Sequence, residues 1–232
     1  RDARGRGRTQ HPGDAGAGLL VSEIRQRQQG VRGRVPCADD RRVPPREEVL
    51  AIVGLSLPEA MSQLVPGITT DARRAMVAAY KAAYMELRAQ GGVELSSPLY
   101  PHVRGVLEDL HTVPETILGV ATGKSRRGLD KLLDGHGLRR LFDTQHCADD
   151  HPSKPHPAML RAALADTGVA PHRAVMVGDT SYDMEMAQAA GMLAIGVTWG
   201  YHTADRLGAA HIVIDDIRLL PGLLDQIWEQ SA

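Results

Sequence analysis

Disulfide frameworks, membrane-crossing helices and aromatic base-stacking surfaces all need residues that this 232-residue chain hardly has. Its two cysteines, Cys37 and Cys147, are too few for a disulfide framework, so the expectation is a reduced, cytoplasmic protein. No apolar run approaches the roughly 18 residues of a membrane-spanning helix. No secretory leader is visible either. Phe, Trp and Tyr together make up 3% of residues, and the formal net charge is −1, so neither a nucleic-acid partner nor a membrane partner is expected. What remains is ordinary for a globular chain, with 43% apolar and 24% charged residues.

The balanced charge hides an asymmetry. Residues 1–42 hold 10 Arg against 5 acids, with seven Gly and no Phe, Tyr or Trp, while the rest of the chain holds 17 basic against 23 acidic residues. The first segment reads as disordered or misframed, since it lacks the apolar material of a core. Codons read one nucleotide later across Arg25 to Arg34 can encode A-S-A-S-K-A-F-A-A-A, a helix-like string.

After Pro44-Pro45 the pattern turns helical. Pro58 stands where a helix can start, ahead of Met61, Leu64 and Val65 at helical spacing. A longer helix follows Thr69-Thr70, carries Met76, Val77, Tyr80, Tyr84 and Leu87 on one face, and stops at Gly91-Gly92. From residue 99 the chain alternates between helix and strand. Strands are expected at Glu115 to Thr122, Ala174 to Gly178, Leu193 to Val197 and His211 to Ile214, with a weaker one around Leu141 to Thr144. The helices between them carry Leu129/Leu132/Leu133, Met159/Leu160/Ala163/Leu164 and Met184/Ala187/Ala190, and the last helix carries Leu219, Leu220, Leu223, Leu224, Ile227 and Trp228 as core. Such alternation predicts an α/β, doubly wound parallel sheet. The expected organisation is a basic segment over 1–42, a small helical cap over 43–98 and an α/β core over 99–232.

Ligands of such sheets bind beyond the carboxyl ends of the strands. The Glu115 to Thr122 strand ends in Thr122-Gly123-Lys124-Ser125, which offers a hydroxyl and backbone N–H groups at a helix start; this is either a phosphate cradle or a plain turn and N-cap. The Ala174 to Gly178 strand ends in Asp179-Thr180-Ser181-Tyr182-Asp183. Two carboxylates four residues apart suit Mg²⁺. The same pair reads equally as a helix cap and a first-turn acid. Lys154, held between Pro152 and Pro155, can neutralise phosphate charge or stand as a solvated surface lysine. His146, Cys147, His151 and His156 match no common zinc spacing and read as a His-rich loop. Trp199 to His202, after a strand's carboxyl end, is expected to line the pocket beside the cap, the other reading being that it closes the following loop.

In this order, G-V-A-T-G-K-S, the lysine before P-H-P, and G-D-T-S-Y-D resemble the second, third and fourth motifs of the haloacid dehalogenase superfamily. V-M-V-G-D-T-S-Y-D-M-E-M-A, with Thr198-Trp199-Gly200-Tyr201-His202 further on, is similar to its phosphoglycolate phosphatase-like branch. The resemblance implies a Mg²⁺-dependent phosphatase of a small phosphorylated metabolite such as 2-phosphoglycolate, working through an aspartyl-phosphate. It implies that Thr122 and Gly123 hold phosphoryl oxygens, that Lys154 offsets their charge, and that Asp179 and Asp183 serve the metal. The family's first motif, an apolar strand running into D-x-D-G-T, finds no match. Asp14 follows His11-Pro12-Gly13, Asp39-Asp40 has neither the strand nor the spacing, and no apolar strand is expected before Val43. The nucleophile is therefore unassigned, and the first core strand is expected to be missing or replaced. A non-catalytic phosphate- or partner-binding protein remains the alternative, as do a pyrophosphatase, a nucleotidase and a phosphomutase on the same fold. Oligomeric state is not readable from the sequence.

Overall fold

Short apolar runs separated by amphipathic helices can bury both faces of a sheet only if the strands run parallel, and six strands here do so. The computed structural model describes residues 17–21, 44–89 and 97–229. The strands are β1 (Ala17–Val21), β2 (Thr116–Thr122), β3 (Thr144–Cys147), β4 (Ala174–Gly178), β5 (Leu193–Val197) and β6 (Ile212–Ile214), in spatial order β3-β2-β1-β4-β5-β6 with every pair parallel. The helices are α1 (Arg46–Ala51), α2 (Leu57–Leu64), α3 (Thr70–Ala89), α4 (Val103–Thr112), α5 (Arg126–Gly135), α6 (Ala158–Thr167), α7 (Ser181–Ala190) and α8 (Leu220–Glu229).

Period-two alternation along the strands sends side chains to two separate cores. On one face Leu118, Val120, Val175, Val177, Ile195 and Val197 meet the buried leucines and valines of α4, α5 and α8. On the other, Ala121, Ala174, Met176 and Ala194 meet Met159, Leu160, Ala163 and Leu164 of α6 and Met184 and Ala187 of α7. The leucines expected on α5, and the Met/Leu/Ala sets on α6 and α7, are therefore core. α6 and α7 both stop at a glycine in the left-handed conformation, Gly168 (φ 70) and Gly191 (φ 75), where a side chain would be strained.

Three expectations are corrected here. A strand does precede Val43: Ala17–Val21 fills the centre of the sheet, with Val21 opposite both Val120 of β2 and Val177 of β4. Its five residues include Ala17 and Gly18 and are flanked by Arg- and Gly-rich sequence, so no run long enough to read as a strand stands out. The remainder of residues 1–42, including Asp14, Cys37 and Asp39-Asp40, lies outside the described residues. The weaker strand starts later than expected, at Thr144, because Arg139–Leu141 close a single 3₁₀ turn in front of it. In the last helical stretch Leu220 and Leu224 are buried and Leu223, Ile227 and Trp228 pack on the core, but Leu219 is 52% exposed because it lies in a 3₁₀ turn ahead of α8. On α3, which begins at Thr70 as expected, Met76, Val77 and Tyr84 are half-buried, while Tyr80 lies exposed and stacked on Tyr84. Gly91-Gly92 lies outside the described residues.

Candidate active site

Parallel register places the ends of β2, β1 and β4 on one edge of the sheet. Thr122 ends β2 and Asp179 directly follows β4; each stands two residues beyond the positions opposite Val21. Both are buried, as are Lys154 and Asp183.

The four-residue step from Asp179 to Asp183 folds as a capping box. Thr180, not Asp179, is the N-cap of α7, and its hydroxyl accepts the Asp183 N–H. The Asp183 carboxylate reaches back, with Oδ2 accepting from the Thr180 N–H at 3.1 Å and from its hydroxyl at 2.6 Å. This packing requires glycine at 178, where an added Cβ would sit 2.4 Å from Asp183 Cβ. Asp183 Oδ1 accepts from Lys154 Nζ at 2.6 Å, and the two side chains are 1% and 2% exposed. Lys154 is thus no solvated surface lysine: its head group is buried, and Asp183 supplies the carboxylate and the hydrogen bond that replace water there.

Asp179 is held differently. Its Oδ2 accepts from the Tyr201 N–H at 2.8 Å, and its backbone carbonyl accepts from the His202 N–H at 3.1 Å. The loop after β5 approaches so closely that a Cβ on Gly200 would lie 2.0 Å from Asp179 Cβ. Across β1, the Thr122 hydroxyl accepts from the Lys124 N–H at 3.3 Å. Gly123 is pressed against residues far away in sequence, since a Cβ there would lie 2.5 Å from the Gly54 carbonyl oxygen and 2.8 Å from that of Leu55.

The structure thus brings Lys154 and Asp183 into contact, puts Asp179 at the head of the same turn, and sets Thr122 and Gly123 at the neighbouring strand end. Of the Trp199 to His202 stretch, Trp199 packs on the core with its ring edge-on to Tyr100, and Tyr201 and His202 carry the contacts to Asp179. Sequence reasoning missed two participants, Tyr182 and Ser153, and the reach of His202 beyond the core. Tyr182 and His202 reach the Ala51 carbonyl, and Ser153 Oγ accepts from the Ser56 N–H at 2.9 Å. Burial raises the Tyr182 phenol above its ordinary value, against a smaller opposing effect of Arg206, so its hydroxyl remains a donor at neutral pH.

At the adjoining strand β3, His146 Nδ1 and His151 Nε2 lie 2.9 Å apart, and His146 Nε2 lies 3.0 Å from Asp166 Oδ2. His156 accepts separately from the Ala158 N–H.

Known proteins resemble this chain in sequence and in fold. The sequence profile described as haloacid dehalogenase-like hydrolase matches residues 38–197. The chain is 38% identical over 194 residues to the protein named "Probable phosphatase IndB" of Dickeya dadantii (strain 3937), covering 81% of each. It is 30% identical over 187 residues to the phosphoglycolate phosphatase of Pseudomonas fluorescens (strain Pf0-1), covering 79% of this chain and 68% of that one. The solved structure of a hydrolase from Pseudomonas syringae superposes with a TM-score of 0.75 at 18% identity, covering 91% of this chain and 99% of that one, a likeness of fold.

Proposed function

Because the chain belongs to the haloacid dehalogenase-like hydrolase family, we propose that the edge formed by Thr122, Gly123, Lys154, Asp179 and Asp183 is the phosphate and cation half of a phosphatase site for small phosphorylated metabolites of the 2-phosphoglycolate kind. The observation that carries this reading is the buried Lys154–Asp183 pair beside Asp179. A buried ion pair at the mouth of a parallel sheet is costly as mere structure, and its cation is useful where a dianion must be neutralised.

In this reading Thr122 Oγ1 and the backbone N–H groups of the following turn bind phosphoryl oxygens, and Lys154 offsets their charge. Asp183 keeps Lys154 aimed. The donor set fits Mg²⁺ unequally. Asp179 is a hard oxygen donor suited to direct ligation, whereas both Asp183 oxygens are already engaged by Lys154 and Thr180, which fits orientation of the site better than ligation. When bound, the ion would supply further charge neutralisation at the phosphoryl group. Residues 43–98 are proposed as the cap over this edge.

By resemblance, one carboxylate of D-x-D-G-T attacks phosphorus and the second protonates the leaving oxygen, before water cleaves the acyl phosphate. Beyond Val21 this sequence runs Ser22-Glu23-Ile24-Arg25-Gln26 and offers no such pair. The chain is therefore proposed to bind phosphate and Mg²⁺ without appreciable turnover. Titration calorimetry with inorganic phosphate in the presence of Mg²⁺ tests this: binding lost in Lys154→Met supports the reading, and no binding by the parent chain sinks it.

A further inference from the structure

The segment Ala51–Ser56 touches all three loops that carry the proposed site. The carbonyls of Gly54 and Leu55 lie on Gly123, Gly54 faces Thr180 closely enough that an added Cβ would sit 3.0 Å from its Oγ1, and the Ser56 N–H bonds to Ser153, next to Lys154. Gly54 has φ +105, a conformation closed to most side chains, so the strap bends where it crosses the site.

One anchor holds its leading end. Ala51 is the last residue of α1, and a carbonyl there has no partner within the helix. Two donors from the core supply one: the Tyr182 hydroxyl at 3.0 Å and His202 Nε2 at 3.2 Å. The protonation of the ring follows from its other side. His202 Nδ1 faces the Ser181 N–H at 3.0 Å, and a backbone N–H can only donate, so Nδ1 accepts and the ring proton sits on Nε2, aimed at Ala51. His202 is 1% exposed and its ring meets the Tyr182 ring edge-on, with centroids 5.5 Å apart. Its backbone N–H is bonded to the Asp179 carbonyl.

We infer that His202 is a positioning residue which, with Tyr182, holds the Ala51–Ser56 strap over the phosphate edge and ties the strap's placement to that of Asp179. The inference rests on the phosphatase reading for its consequence on ligand binding and on the hydrogen-bond geometry for the strap itself.

Two conservative variants separate the roles of the ring nitrogens. In His202→Gln the side-chain amide reaches the place of Nε2 and can still donate to Ala51. In His202→Asn it reaches only the place of Nδ1 and keeps only the Ser181 contact. Residue-resolved amide exchange at Leu55 and Ser56 reads the strap. We expect exchange about tenfold faster in His202→Asn and in Tyr182→Phe, and close to the parent rate in His202→Gln. Inorganic phosphate with Mg²⁺ should bind several-fold more weakly to His202→Asn and not to His202→Gln. Equal exchange in the Gln and Asn variants, or rates unchanged in both, overturns the inference. Should the His202 variants fail to fold, Tyr182→Phe, which loses a single hydroxyl, decides: unchanged exchange at Leu55 and Ser56 overturns the inference. A parent chain that fails to bind phosphate refutes the proposed function instead, while the exchange rates still judge the strap.

Discussion

Strands β1 and β4 lie side by side in the same sheet with the same direction and register, yet they hand on to unlike sequences. β4 runs into Asp179 and the capping box that aims Asp183 at Lys154. β1 runs into Ser22-Glu23-Ile24-Arg25. The difference shows that a central strand and a catalytic strand make separate demands. Backbone N–H and C=O groups complete a ladder for almost any short extended run, whereas phosphoryl transfer needs specified carboxylates directly beyond it.

The largest expected effect comes from making β1 resemble its neighbour. Ser22→Asp, Ile24→Asp, Arg25→Gly and Gln26→Thr together create D-x-D-G-T after β1, and Mg²⁺-dependent phosphate release from 2-phosphoglycolate should rise by at least about a thousandfold over the parent chain. A parent chain that turns over as fast as the variant breaks the comparison. The nucleotide sequence across codons 22–45 sharpens it, because a single intact frame removes the misframing explanation of the Arg-rich run.

Next comes the β4 side. Lys154→Met leaves Asp183 buried without its cation and should cost about 3 kcal/mol or more of stability, read as a lower midpoint in urea. An unchanged midpoint would mean that the pair is not buried in solution. Gly200→Ala forces the loop off Asp179, since the added Cβ would meet Asp179 Cβ and not a flexible side-chain end. Mg²⁺ affinity by calorimetry should fall about tenfold while the fold survives.

The smallest effect belongs to the edge strand β3, which β2 separates from β1. Burial, foremost, depresses His146 below the ordinary histidine value; Asp166 opposes the shift, and His151 and Arg126 add to it. A histidine that is harder to protonate in the folded chain than in the unfolded one contributes stability at neutral pH. That contribution is lost as pH falls from about 6.5 through the lowered value. Melts between neutral and mildly acidic pH should therefore drop more steeply for the parent than for His146→Gln.

Much of the proposed site's geometry was legible in the sequence because its signals are local. Thr122 and Asp179 stand at the ends of recognisable apolar strands, Asp183 one helical turn beyond the latter, and Lys154 between prolines ahead of a helix. The two-sided sheet was legible for the same reason, from uninterrupted runs such as Ala174 to Gly178. β1 was not, because a five-residue strand with Gly at its second position and Arg-rich flanks carries neither length nor alternation. The hold of Tyr182 and His202 on Ala51 was not legible either. No periodicity relates residues 131 and 151 positions apart, and a carbonyl that needs a partner leaves no mark in sequence.

Those separations also bear on how the molecule assembles. The strap bonds to the core across 97, 131 and 151 residues, so its loops can close only after strands and helices from most of the chain have met. Single hydrogen bonds anchor it where whole ladders anchor the sheet, so it is expected to open before the sheet does. The strap should therefore be the part of the molecule where a protease or an exchanging deuteron gains entry while β2 and β4 are still closed.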